Sequence, residues 1–139
     1  MTNDYINDAL FSFLKAIYAF EQKEKAEFSL SWQDMLLLKH LRLTNQLTMG
    51  DVTQLLHIQP FQTTRLVDNL VKKMFVERFE GQEDGRVKCL RIAPHGLLQL
   101  DRLDAYHVSV VTQAAKDLGP SATKDLLAML FQLNQLLGV

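Results

Sequence analysis

The sequence predicts a mainly α-helical chain carrying one small β-hairpin, and three observations predict it. Apolar residues recur at three- and four-residue steps through most of the 139 residues, as helices with one buried face require. One short region instead shows two runs of β-branched and aromatic residues on either side of a polar, Gly-containing loop. Only six Gly and three Pro punctuate the chain, and 47% of it is apolar, which suits one real core and excludes a linker-like or low-complexity chain.

Each element has its own local reason. Over residues 4–25, Ile6, Leu10, Phe13, Leu14, Ile17 and Phe20 form one broad stripe on a first helix. Ser31 is a good N-cap with Asp34 three residues on, and it opens a second helix through Met35, Leu36, Leu38 and Leu41. Thr48 with Asp51 repeats the pattern for a short third helix carrying Val52, Leu55 and Leu56. His57-Ile58-Gln59 is a tight connection, and Pro60 suits the first position of a fourth helix because its missing N–H would have no helical partner there. That helix turns Thr63, Leu66, Val67 and Leu70 inward.

Residues 75–79 and 87–92 read as two strands of a hairpin joined by a long polar loop. Pro94 starts a fifth helix through Leu97, Leu100, Leu103, Tyr106, Val110 and Val111, and the Gly119-Pro120 pair stops it. Ser121 then caps a last helix with Leu126, Leu127, Leu130, Phe131, Leu133, Leu136 and Leu137. That segment is apolar on more than one face, so a partner surface is expected.

Charge and composition exclude several function classes. With 15 Lys+Arg against 16 Asp+Glu the chain is not globally basic, but residues 60–92 hold seven cations against five anions while the first thirty hold three against five. This asymmetry suits a DNA-facing middle. The single cysteine, Cys89, allows neither an internal disulfide nor a thiolate cluster, and residues 1–15 show no export signal, so a cytoplasmic protein is expected. The longest stretch free of Asp, Glu, Lys and Arg is residues 126–139, well short of the roughly 20 apolar residues of a membrane span. His40, His57, His95 and His107 lie far apart, without zinc-ligand spacing. With no nucleophile elbow, Gly-rich phosphate loop or supported carboxylate pair, neither an enzyme nor a cofactor is expected.

Two short helices joined by a tight turn, the second started by Pro, followed by a basic-tipped hairpin, describe a winged helix-turn-helix. The second helix then enters the major groove with Phe61, Gln62, Thr64, Arg65, Asn69 and Lys72 outward. Gln62 and Asn69 suit bidentate reading of adenine, and Arg65 suits guanine or a phosphate. At the hairpin tip Arg86 can reach the adjacent minor groove, with Lys88 and Arg91 near phosphates. Phe61 has an alternative role as a staple against the third helix, and Arg78 reads as a structural pairing residue. Tyr18, Phe28 and Trp32 read as core aromatics, with a ligand cleft as the alternative. Alternation along the second strand puts Leu90 and Ile92 inward and Cys89 on the other face beside Val87 and Arg91, where it reads as a filler rather than a thiol switch.

In this order and at these distances the residues resemble the MarR family of transcriptional regulators. The resemblance is carried by Leu47-Thr48, by Thr63-Thr64-Arg65-Leu66-Val67-Asp68-Asn69-Leu70, by Val76-Glu77-Arg78, by Asp84-Gly85-Arg86 and by Gly96. Its specific part covers residues 48–96, while the helix order extends it over the whole chain. It implies a homodimer whose first and last helices interleave, two DNA-binding lobes and a pseudo-palindromic operator on double-stranded DNA. It also implies Arg86 as the minor-groove residue with Asp84 orienting it, and Gln62, Thr63, Thr64 and Arg65 in or beside the reading surface. Ligand control through a cleft is common in the family, which adds a small-molecule effector to the expected partners. The chain departs from the family pattern at Gln59, where Ser or Thr usually caps, at Met74, where glycine usually ends the helix, and at Ala93-Pro94.

The resulting expectation is one chain, residues 1–139, with a winged helix-turn-helix DNA-binding lobe at 31–93 and N- and C-terminal dimerisation helices at 1–30 and 94–139. Its expected DNA-contacting residues are Gln62, Thr63, Thr64, Arg65, Asn69, Lys72, Arg86 and Lys88, and its expected role is a repressor. A second reading stands beside it: a winged-helix protein–protein interaction module without specific DNA binding, which the acidic Glu80, Glu83 and Asp84 around the wing keep open.

Overall fold

A computed structural model describes residues 1–81 and 87–138. In chain order the elements are α1 (Asn3–Phe28), α2 (Trp32–Thr44), β1 (Leu47–Thr48), α3 (Met49–Leu56), α4 (Pro60–Lys72), β2 (Val76–Glu80), β3 (Lys88–Ile92), α5 (Pro94–Leu118) and α6 (Pro120–Leu136). Two compact units divide the chain, residues 1–100 and residues 101–139.

In the first unit the helix starts follow side-chain chemistry. Ser31 Oγ accepts from the Asp34 N–H at 3.2 Å while Asp34 Oδ2 accepts from the Ser31 N–H at 2.8 Å. Thr48 and Asp51 repeat this reciprocal box at 3.0 and 2.9 Å. Each cap satisfies donors that the helix itself leaves orphaned, worth about 1 kcal/mol. Leu30, Leu37, Leu38, Leu41, Val52, Val67, Leu70, Val76, Leu90 and Leu100 are essentially inaccessible and form the core. Each such side chain contributes about 1.5–3 kcal/mol of burial energy.

The sheet is antiparallel with the order β1-β3-β2. Its third strand, β1, is an addition to the expected hairpin. Two residues are too few to show alternation, and Leu47 and Thr48 become a strand by pairing with Leu90 and Cys89. Cys89, read from sequence as a small filler on the face opposite Leu90, is only 4% exposed, and Thr48 and Phe79 are its cross-strand neighbours.

Two backbone details fix the exit from α4. The Phe75 N–H reaches Leu70 O and the Met74 N–H reaches Val71 O, both at 2.9 Å, with Phe75 and Leu70 buried. This is a Schellman ending, and it places Met74 in the left-handed region at φ 66°. The chain thus keeps the left-handed exit without the glycine that relieves it, at a cost of about 1–2 kcal/mol. Gly96, in the first turn of α5, lies against the same segment. A Cβ there would sit 2.1 Å from the Phe75 carbonyl oxygen, so only glycine permits this approach.

α1 buries only Glu24 and Phe28. Of the predicted apolar stripe, Ile6, Leu10, Leu14 and Ile17 are exposed, while Phe13 and Phe20 are half-buried. Of the aromatics near the α1–α2 junction, Phe28 is core while Tyr18 and Trp32 are exposed. The C-terminal end of α1 is held by two side chains, Lys73 Nζ donating to Ser29 O at 2.7 Å and Gln99 Nε2 donating to Phe28 O at 2.6 Å.

In the second unit, α6 buries none of its described residues, and Leu126, Leu127, Met129, Leu130, Phe131 and Leu136 all face solvent. Its start differs from expectation. Gly119, at φ 83°, is the cap and Pro120 the first helical residue, so Ser121 lies inside the helix. Proline's fixed φ suits that first position. Among the described residues no helix is long and apolar enough to cross a membrane.

Candidate nucleic-acid interface

The arrangement rests on α3 and α4 and the three residues between them. α3 ends with His57 at φ 53°, where the His57 N–H reaches Gln54 O and the Ile58 N–H reaches Thr53 O. This left-handed step redirects the chain within one residue. Pro60 then starts α4, with Gln62 Oε1 accepting the Gln59 N–H at 2.9 Å. Gln59 makes no side-chain cap bond of its own. Gln62 thus supplies the reciprocal bond of a capping box, from its N3 side chain back to the N-cap N–H.

Inside the corner, Thr53 Oγ1 and Thr63 Oγ1 lie 2.8 Å apart, and Thr53 Oγ1 is 3.0 Å from Met49 O. With Thr53 donating to that carbonyl, Thr63 donates to Thr53, and a hydroxyl pair locks the two helices within an apolar wall of Val52, Val67 and Leu70. Thr63 is 1% exposed. It therefore corrects the resemblance-based placement at the reading surface: the helical period points it inward, and it orients α4 without contacting a ligand outside.

The opposite face of α4 presents the other expected residues. At 100° per residue Phe61, Arg65 and Lys72 lie opposite the buried Thr63, Val67 and Leu70, with Gln62 and Asn69 on one flank and Thr64 on the other. All six are exposed. Their hydrogen-bonding capacity is unequal. Gln62 Oε1 already spends one of its two lone pairs on the cap, so its NH2 is the less encumbered end toward a base edge. Thr64 Oγ1 donates to Pro60 O at 3.1 Å. Arg65 has no ion pair or hydrogen bond among the described residues, and Asn69 keeps both ends of its amide available.

On the Thr64 side, Asp68 of α4 pairs with Arg78 of β2, which fastens the hairpin to the helix. Arg78 thus has the structural role expected of it. Further along the hairpin, Lys88 Nζ pairs with Glu80 Oε1 at 3.1 Å, and Arg91 Nε with Glu77 Oε2 at 2.9 Å, the Arg91 guanidinium lying 4.8 Å from the Phe79 ring centre. These are cross-strand neighbours by register. Lys88 is therefore balanced by a carboxylate in the free protein. Both partners are more than half exposed, so the pair is weak and exchangeable for a phosphate. Asp84 and Arg86 lie outside the described residues.

On the Gln62 side runs a polar groove of about 690 Å³ between α4, the end of α1 and the start of α2. Lys25, Arg65 and Lys73 line it, opposed by Asp34, whose carboxylate serves the α2 cap. Lys25 and Lys73 are not among the contacts expected from sequence. Lys25 is forty residues from Arg65 along the chain, and no local pattern signals that the two share a wall.

No protein-family model matches the chain, and no curated protein does. Solved structures match over nearly its full length. RV1404 from Mycobacterium tuberculosis superposes with a TM-score of 0.81 at 18% identity, covering 97% of this chain and 94% of that one. FabT from Streptococcus pneumoniae, solved in complex with DNA, gives 0.75 at 20% identity, covering 99% and 98%. A point mutant of MarR from E. coli gives 0.72 at 16% identity, covering 91% and 94%. Among the described residues, six helices, a three-stranded antiparallel sheet and a helix-turn-helix with its hairpin thus give this chain the winged-helix fold seen in MarR.

Proposed function

We propose that the chain is a sequence-specific DNA-binding transcriptional regulator of the MarR type, acting as a homodimeric repressor rather than an enzyme. The observation that carries this reading is the division of α4. One face is locked to α3 through Thr63, Val67 and Leu70, and the other presents Phe61, Gln62, Thr64, Arg65, Asn69 and Lys72 to solvent. A helix held by one side and open on the other, beside a two-stranded ribbon, is the geometry that enters a major groove. The FabT complex with DNA supports the same reading by fold.

In this proposal residues 31–93 form the DNA-binding lobe, and residues 1–30 and 94–139 supply the dimer. The exposed stripe of α1 and the exposed leucines of α6 are covered by a second copy of the chain. Arg86 enters the minor groove beside the wing and Lys88 exchanges Glu80 for a phosphate. On the other flank of α4 the backbone of one strand follows the polar groove past Lys25 and Lys73, since that groove carries three cations against one anion. Two recognition helices must reach grooves about 34 Å apart, so a small-molecule effector that changes their separation changes affinity.

Fluorescence anisotropy on DNA from the protein's own upstream region tests this, against a scrambled duplex and across a salt series. Preference for the upstream sequence, with affinity falling steeply as salt rises, is the expected result. The alternative, a protein-docking winged helix, is favoured by one observation: Arg78, Lys88 and Arg91 are each matched to a carboxylate. Indifference to both sequence and salt would select it.

A further inference from the structure

From the exposed apolar surface of α4 we infer that this helix selects thymine, through contact of the Phe61 ring with the C5-methyl group of a base in each half-site. The inference rests on the DNA-binding reading above and names the base chemistry that the reading leaves open. Phe61 is 66% exposed at the second position of α4, so it does not serve as a staple against α3. It shares the outward face with Arg65 and Lys72, and recognition helices meet base edges with their N-terminal residues.

A second observation enlarges the apolar surface. Thr64, one turn along, gives its only hydroxyl proton to Pro60 O. While that bond holds, it approaches a base as a methyl group and an acceptor. The N-terminal turn of α4 thus offers a phenyl ring and a methyl, flanked by the NH2 of Gln62 and the guanidinium of Arg65.

Chemistry then restricts the partner. The floor of the major groove consists mainly of hydrogen-bond donors and acceptors, and the thymine C5-methyl is its one projecting apolar group, the cytosine edge offering only a bare C5–H. A phenyl ring set against a carbonyl, a ring nitrogen or an exocyclic amine strips water from that group and returns no bond. Set against a thymine methyl, it gains apolar burial without that loss.

The test starts with the full-length chain selecting bound duplexes from a random-sequence pool. The winning duplex is then remade with deoxyuridine in place of one thymidine at a time, which deletes the methyl and keeps the base pair. Affinities are measured for the wild type, Phe61→Ala and Phe61→Leu, with thermal unfolding confirming that all three are folded. One thymine in each half-site is expected to cost the wild type about fourfold on losing its methyl, the worth of one buried CH3. Phe61→Ala binds the thymine duplex more weakly and shows no penalty at that position, while Phe61→Leu keeps one. A winning half-site without thymine, neutral replacement at every thymine, or a penalty undiminished in Phe61→Ala would each overturn the inference. A pool from which no sequence is enriched overturns the DNA-binding reading itself, and the thymine contact with it.

Discussion

The helix-turn-helix and α6 are both rich in apolar side chains, yet they end in opposite states. Across α3 and α4 the apolar residues Val52, Leu56, Val67 and Leu70 are buried, and the one polar group among them, Thr63, is paired. In α6 no described residue is buried. The first region is complete within one chain and turns polar groups and Phe61 outward, whereas the second leaves a large apolar area in water. Surface of the first kind suits an intermittent, wet contact such as a nucleic acid, and surface of the second kind suits a permanent dry one. The difference is one of completeness: one surface is finished within the chain and the other is not.

The strongest way to break that comparison is to remove residues 126–139. Dimers are expected to disappear in sedimentation velocity, and operator affinity to fall by about a hundredfold or more as two linked half-sites become independent. An intact chain that sediments as a well-folded monomer would end the argument for a dry interface. In the completed region, Gly96→Ala is expected to cost about 1–3 kcal/mol in urea unfolding, because the neighbour it meets is backbone and cannot turn aside. A variant as stable as the parent would show that the Phe75 carbonyl yields after all.

Smaller effects distinguish reading from holding. Arg65→Ala should lose about 1–3 kcal/mol of operator binding and relax the preference at one position. Arg86→Ala should weaken binding with the dimer intact, and unchanged affinity would remove the wing from the interface. Lys25→Gln should weaken all sequences alike and lower the salt slope by about one. If Lys25→Gln alters base preference instead, the groove is not a backbone track. The smallest effect expected is a gain: Met74→Gly stabilises the fold by about 1 kcal/mol, read as a raised urea midpoint, by relieving the left-handed residue after α4.

What the sequence shows of this molecule is what depends on neighbours in the chain. Ser31 with Asp34 and Thr48 with Asp51 are legible because a capping box spans four residues. Pro60 and Pro94 are legible because proline constrains its own dihedral. The inward turn of Thr63 follows from the helical period, while the analogy that places it at the surface ignores that period. Pairing across the chain leaves no such trace. Leu47 becomes a strand through Leu90, Cys89 gains cross-strand neighbours on both sides, and Lys25 comes to share a groove with Arg65 through a fold-level approach. Lys88 reads as a free cation in the sequence because its carboxylate partner, Glu80, is a neighbour only across the hairpin.

The bond from Lys73 to Ser29 O has a mechanical meaning. Lys73 caps the C-terminal end of α4, and Ser29 terminates a rod of 26 residues, about 39 Å in length at helical rise. Whatever grips the far end of that rod acts through a long arm on a fulcrum joined to the end of α4. A slight tilt of α1 and the pitch of α4 are therefore not independent settings.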